Sequence, residues 1–403
     1  MSEPEVCELG DLIEFQRGYD LPKSDFVVGP YPVQSSNGVL GYHNEFKVKG
    51  PGITIGRSGT VGIPHLIECD FFPHNTALFI KDFKGNDVKY IYYLLKNLRL
   101  GDRKSGSSVP TMNRNHLHPL KVKIFRDVDY QNKLSCVLDA IDKKIYLNNN
   151  INTELEAMAK LIYDYWFVQF DFPDENGKPY KSSGGKMVYN EDLKREIPQG
   201  WEVIELGDLV NFQKGISYSS KDIGLSGIPM INLNSFYLDG SYKKEGIKYF
   251  NGRVNPDRLC KKGDLVIAVT DVTRNAEIIG KGFSIPDLFF GDVLISTDVA
   301  KVELSDRLTQ EFTSQLFNSE SYHNYIKYFA TGTLVLHLDL NGIRWSKIAL
   351  PPLELQRKYS EISRSAKLKF TYSMSENQTL SELRDWLLPM LMNGQVTVSD
   401  PSN

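Results

Sequence analysis

The sequence predicts a mixed α/β (α+β) chain of 403 residues: two domains in a pseudo-twofold repeat, separated by two long helices with a coiled-coil seam. Three observations predict it. First, an eleven-residue word occurs twice, "ELGDLIEFQRG" at 8–18 and "ELGDLVNFQKG" at 205–215, with eight identities at an offset of 197. Second, short β-branched runs bounded by Gly, Pro and Asn alternate with helical patterns in each copy. Third, each copy ends in a helical pattern of about 40 residues, enough for roughly 60 Å of helix.

Along the first copy (1–126), "GITIG" at 52–56 reads as a strand and "DVKYIYYLLKNL" at 87–98 as a helix. The long helix is expected over 127–168, with Asp127 or Asp129 suited to cap it. Leu134, Leu138, Ile141 and Ile145 are spaced 4, 3 and 4, and the seam continues through Asn148, Asn152, Leu155, Ala159 and Ile162. A stripe this long needs a partner, and the nearest candidate is its own copy. Asn148 and Asn152 would then fix register at some expense of stability. Residues 169–200, rich in Gly, Ser, Lys and Asp, read as a central linker.

The second copy (201–351) repeats the plan with insertions. "DLVIAV" at 264–269 reads as a strand and 308–326 as a helix. "GTLVLHLDLNGIRWSKIAL" at 332–350 follows the pattern of "GSSVPTMNRNHLHPLKVKI" at 106–124, now at offset 226, so that Asn115 pairs with Asn341 and Lys121 with Lys347. The second long helix, expected over 352–394, pairs Gln356 with Gln131 and Asn377 with Asn152 at offset 225. Pro351 and Pro352 precede it, and Gly394 is suited to end it before a tail at 395–403.

Composition is that of a globular protein, and no apolar run approaches the roughly 20 residues that span a bilayer. The acidic start "MSEPEVCELGD" lacks a signal-like apolar core, and four scattered cysteines form no CxxC, so a cytoplasmic location is expected. Net charge is −3, yet residues 81–126 hold eleven Lys/Arg against three Asp, and residues 243–262 hold seven Lys/Arg against Glu245 and Asp257. Local basic stretches of this kind fit nucleic-acid contact at defined faces.

Catalytic signals are missing. "GKPYKSSGGK" at 177–186 ends in Gly-Lys-Met and not in a Walker order, and "GRSGTVG" at 56–62 lacks the Rossmann spacing. The single Pro-Pro, within Leu350–Leu353, lacks the polar and aromatic neighbours of an adenine methyltransferase motif. His65, Cys69 and His74, or His116 and His118, lack a full ligand set for a metal. A binder is favoured over an enzyme.

The run "LEAMAKLIYDYWFVQFDFPDENGKPYKSSGGKMVYNEDLKREIPQGWEVIELGDL" (155–209) resembles the central region of type I restriction–modification specificity subunits. Its elements are "YWFVQFDF", "IPQGW" and the "LGDL" that opens each half. "LPPLELQRKY" (350–359) is similar to the family's lead-in to its second long helix. The resemblance spans essentially the whole chain.

It implies a DNA-reading subunit without catalysis of its own. The two domains would be target recognition domains, each reading one half of a bipartite asymmetric double-stranded DNA site. The two helices would form an antiparallel coiled coil that sets the unread spacer and docks two adenine-N6 methyltransferase subunits, with restriction subunits completing the complex. S-adenosylmethionine, ATP and Mg²⁺ would belong to those partners and no cofactor to this chain. The alternative is a self-contained DNA-modifying enzyme with fused recognition domains.

Candidate contacts follow from side chains suited to base edges and phosphates. In the first copy they are Arg57, Ser58 and Thr60 in a Gly-rich loop, and Arg103, Lys104, Ser107, Ser108, Asn113, Arg114 and Asn115 in a polar basic loop. In the second they are Thr270, Thr273, Arg274 and Asn275, with Lys327, Thr331, Thr333 and His337.

Overall fold

The computed structural model describes residues 3–102, 112–287 and 291–398. Arg103, Lys104, Ser107 and Ser108 lie outside the described residues. The chain divides into two compact units that do not follow chain order: residues 1–148 with 376–403, and residues 149–375. The long helices Val128–Tyr163 and Leu353–Met392 each contribute a stretch to both units.

In the first unit a four-stranded antiparallel sheet runs in the order Glu14–Arg17, Ala77–Asp82, Gly52–Gly56, Pro64–Ile67. "GITIG" is buried at every position, which explains its continuous apolar run. A second sheet joins Gly38–His43 to Tyr31–Ser35, which pairs in parallel with Phe72–Pro73. Glu5–Glu8 pairs with Lys121–Ile124, so the chain enters the domain beside the strand by which it leaves. Alternation is visible there: Val122 and Ile124 are buried, Lys121 and Lys123 exposed. The core joins Leu9, Phe15, Ile53, Tyr90 and Leu94 to Leu134 and Leu138 of one long helix and Leu388 and Leu391 of the other.

The second unit repeats this order: Val210–Lys214, Val299–Leu304, Leu265–Ala268, Gly282–Ser284. The parallel pair recurs as Ile228–Ile231 with Leu294–Ile295, and the closing pair as Glu202–Glu205 with Lys347–Leu350. Lys248–Phe250 pairs antiparallel with Ile228–Ile231 as Gly38–His43 does with Tyr31–Ser35, whereas strand Ile223–Gly224 and several 3₁₀ turns are additions that help account for the growth in offset.

The repeated word is thereby explained. In each copy it spans the end of the entry strand, one helical turn, and the first strand of the sheet. The amide of Leu9 donates to the Leu120 carbonyl at 2.8 Å, and that of Leu206 to the Ser346 carbonyl at 2.8 Å. A Cβ on Gly10 would fall 2.9 Å from the His118 Cβ, and one on Gly207 3.0 Å from the Arg344 Cβ. Packing of this closeness selects glycine.

Within the first unit the long helices pair antiparallel, since partner numbers fall as helix numbers rise. Arg384 donates to Asp142 at 2.8 Å, and Asn148 donates to Glu376 at 2.7 Å and to Asn377 at 2.8 Å. Asn148 is buried, the polar seam position that the heptad pattern anticipates. Within the second unit the Tyr359 hydroxyl donates to the Ala159 carbonyl at 3.2 Å, and Tyr359 packs on Tyr163 and Phe167.

The matched glutamines perform one task twice. Gln131 and Gln356 are both fully buried. The Gln131 Oε1 accepts from the amide of Asp87, the N-cap of helix Val88–Asn97, at 2.9 Å, and its Nε2 donates to the Phe125 carbonyl at 2.7 Å. The Gln356 Oε1 accepts from the amide of Thr309, which precedes helix Gln310–Asn318, at 2.9 Å, and its Nε2 donates to the Pro351 carbonyl at 2.9 Å. Each pins a domain helix to the start of a long helix.

The segment at 169–200, a linker by composition, is itself folded. Met187–Asn190 pairs with Arg195–Pro198, and Phe172 stacks on Tyr180 at 4.7 Å and on Trp201 at 5.5 Å. The Arg195 guanidinium lies over the Phe170 ring at 4.5 Å. Trp166, Phe167, Phe170 and Phe172 of "YWFVQFDF" and Trp201 of "IPQGW" thus close into one cluster, which overrides the flexible composition between them.

Candidate nucleic-acid interface

In the first unit, the end of the first sheet strand, the loop after Gly56 and the turn before helix Arg114–Leu117 converge. They surround a concavity of about 630 Å³ lined by Gln16, Arg17, Gly18, Tyr19, Asp20, Arg57, Leu78, Met112, Asn113 and Arg114. Three predicted residues, Arg57, Asn113 and Arg114, meet there. Arg57 is held by its backbone: its amide donates to the Thr76 carbonyl at 2.8 Å and its carbonyl accepts from Met112 at 2.8 Å. Asn113 caps the short helix by accepting from the Asn115 amide at 3.0 Å, leaving Arg114 and Asn115 exposed at its start. The Ser58 amide shares the Thr76 carbonyl at 3.2 Å, and Thr60 is exposed on the same loop.

Gln16, Arg17, Tyr19 and Asp20 were not among the predicted contacts. Arg17 pairs with Asp20 at 3.3 Å, and the Asn75 side-chain amide also donates to Asp20. The available signal was the substitution of Arg17 by Lys214 within the repeated word, which keeps a cation where the rest is scaffold.

In the second unit, strand pairing brings the two predicted clusters together. Thr270–Asp271 pairs with Leu336–Leu338, which also pairs with Ala330–Thr331, so His337 lies opposite both Thr270 and Thr331. Thr331, Thr333 and His337 are exposed, and Lys327 donates to Asn324 at 2.8 Å. Arg274 and Asn275 are exposed on a loop anchored by the fully buried Asp271, whose carboxylate accepts from the amides of Thr273 and Ile278 at 2.6 Å and of Ile279 at 3.0 Å. Two predicted residues hold this loop instead of facing outward. Thr270 is buried with its hydroxyl on Asp298 at 3.0 Å, and the Thr273 hydroxyl accepts from the Glu277 amide at 2.8 Å.

His118 is a half-buried, hydrogen-bonded group. Its Nε2 accepts from the Phe15 amide at 3.2 Å and its ring stacks on Phe15. Burial, then the charges of Lys84 and Arg114, hold its pKa below the ordinary histidine value. Among the described residues no cluster of three or more His, Cys, Asp or Glu is placed to hold a metal ion, and no helix is long and apolar enough to cross a membrane.

The model of the type I restriction modification DNA specificity domain matches residues 1–157 and again 198–364. The MjaIX type I restriction enzyme specificity subunit of Methanocaldococcus jannaschii is 24% identical over 327 residues, covering 77% of this chain and 70% of that protein. The MjaVIII specificity subunit of the same organism is 22% identical over 328 residues, covering 78% and 71%. In fold, the chain is similar to the crystal structure of a type I restriction–modification S subunit from M. genitalium, with a TM-score of 0.63 at 17% identity over 97% of this chain and 96% of that one.

Proposed function

The chain belongs to the type I restriction modification DNA specificity family, carrying its domain twice, and we propose that each copy reads one half of a bipartite, asymmetric DNA target. Its role is sequence recognition for a type I restriction–modification system. The observation that carries the bipartite reading is the repetition itself: one sheet order and one closing strand pair occur in both units, while the loops beside them differ. Equal scaffolds with unequal loops suit two different half-sites.

In the first domain Arg17, Arg57, Asn113, Arg114 and Asn115 supply base-edge and phosphate contacts, with Ser58 and Thr60 beside them. Arginine suits the guanine edge and asparagine the adenine edge. In the second domain Arg274, Asn275, Thr331, Thr333 and His337 do so, Thr270 and Thr273 shape the loop, and Lys327 holds phosphate. The helix pair sets the unread spacer, since half-site spacing is a geometric property of the connector. Two adenine-N6 methyltransferase subunits dock on this chain, and restriction subunits complete a cytoplasmic complex. S-adenosylmethionine, ATP and Mg²⁺ serve those subunits, and this chain is not catalytic.

The test is methylation mapping with the chain bound to its modification partner. N6-methyladenine is expected only within one bipartite sequence, and none from the isolated chain with S-adenosylmethionine. Methylation regardless of sequence would overturn the proposal.

A further inference from the structure

The two units hold their domain helices to the long helices through ion pairs of opposite polarity. Lys89 is the second residue of helix Val88–Asn97, and Glu311 the second of helix Gln310–Asn318. Asp139 lies eight residues beyond Gln131, and Arg364 eight beyond Gln356. The glutamine bonds described above tie these four positions into one frame, so they are structurally equivalent. Lys89 pairs with Asp139 at 2.9 Å, and Arg364 pairs with Glu311 at 2.9 Å. In the first unit the cation is on the domain and the carboxylate on the long helix. In the second the signs are exchanged.

One helical turn further the exchange recurs. Asp142 and Lys367 stand eleven residues beyond their glutamines. Asp142 accepts from the Tyr93 hydroxyl at 2.9 Å, lies 3.6 Å from the Lys96 ammonium and pairs with Arg384 at 2.8 Å. Lys367 donates to the Ser284 hydroxyl at 3.0 Å. One long helix therefore offers its domain an acidic seat (Asp139, Asp142), and the other a basic seat (Arg364, Lys367).

We propose that these seats form a polarity key that admits each recognition domain only to its own long helix. The physical basis is exclusion more than attraction. Exposed ion pairs add little stability, and Arg364 is 66% exposed. The carboxylates are the shielded members, Asp139 at 15% and Glu311 at 8% exposure. If the second domain sat on the first seat, Glu311 would face Asp139, two shielded carboxylates whose only nearby cation would be the exposed Lys143, 2.9 Å from Asp139 on its own helix. If the first domain sat on the second seat, Lys89 would face Arg364, and Lys96 would face Lys367. Discrimination by such clashes is how related surfaces avoid wrong partners. A chain with two domains of one fold needs that discrimination while folding.

Two experiments on the full-length chain test this. In native domain order, D139R is expected to lower the unfolding temperature by about 2–4 °C, and K89E/D139R to recover at least half of the loss despite Glu68, which lies 3.3 Å from Lys89. In the second unit R364D and E311K/R364D should behave alike. The second experiment exchanges residues 1–126 with 201–351. With native seats this chain is expected to be cleaved rapidly by thermolysin; with D139R/D142K/R364D/K367D its resistance should return. Equal resistance with either set of seats overturns the proposal. If neither exchanged chain is soluble, absence of charge-swap recovery in both native-order pairs overturns it. Both readouts concern folding alone, so they stand apart from the DNA-reading role.

Discussion

His118 accepts a hydrogen bond that a protonated ring cannot accept, so its titration is tied to the entry of the first domain. Its folded pKa is below the ordinary 6.5. The neutral-ring contribution to stability is therefore whole above the unfolded pKa and is lost as pH falls below about 6.5 toward the lower folded value. Thermal unfolding of the first unit is expected at lower temperature at pH 5.5 than at pH 7.5, and H118Q, which retains an acceptor, should flatten that difference. At the same scale, Gln131→Leu and Gln356→Leu each strand a helix-cap amide and a carbonyl in the core. Each is expected to destabilise its own unit by about 2–6 kcal/mol, at about 1–3 kcal/mol per unpaired group, measured by denaturant unfolding. The internal repeat pairs these glutamines without disclosing their task, because a side chain bridging residues 44 or 47 positions apart leaves no local periodicity. Thr270 illustrates the reverse. Its residue type suits a DNA contact, and only the fold reveals that Asp298 occupies its hydroxyl.

Elements with strong periodicity were legible. The 4, 3, 4 spacing marks a helix that runs Val128–Tyr163, and the proline pair marks the start of one that runs Leu353–Met392. The stretch at 308–326 reads as one helix by pattern and is two, Gln310–Asn318 and Glu320–Ile326. Ser319 divides them by adopting an extended backbone and accepting from the Tyr322 amide, a capping choice that competes with helix continuation. The folded segment at 169–200 escaped composition because its order comes from aromatic residues at its two ends. The helix pair also carries a functional expectation. One heptad inserted into both helices, beside Asn152 and beside Asn377, adds about 10 Å. That is about three base pairs of duplex at 3.4 Å per step. Methylation mapping of this variant should show an unread spacer about three base pairs longer with both half-sites unchanged. An unchanged spacer would remove the helices from that role.

For the molecule as a whole, duplication separates what must stay from what is free to vary. The shared word, the closing strand pairs and the glutamine pins recur because both domains need one scaffold. In the concavity Arg17 keeps a cationic counterpart in Lys214, but Arg114 aligns with Leu340 at offset 226, and the second unit presents the loop of Arg274 and Asn275. Recognition encoded in this way should be separable by halves. Arg17→Ala, which leaves the buried sheet intact, is expected to relax discrimination at one half-site by about 1–3 kcal/mol, the range of a bidentate base contact. Arg274→Ala should do the same at the other half-site, and the double variant should show the sum, as distant independent sites do. Binding measured against salt adds the electrostatic side. A chain with net charge −3 that holds DNA through local basic patches should lose affinity steeply as salt rises, and a lost phosphate contact should reduce the log–log slope by about one. Arg17 and Arg274 can thus be sorted as base or phosphate contacts. A base contact changes which sequence is chosen and leaves the slope intact, whereas a phosphate contact weakens all sequences alike.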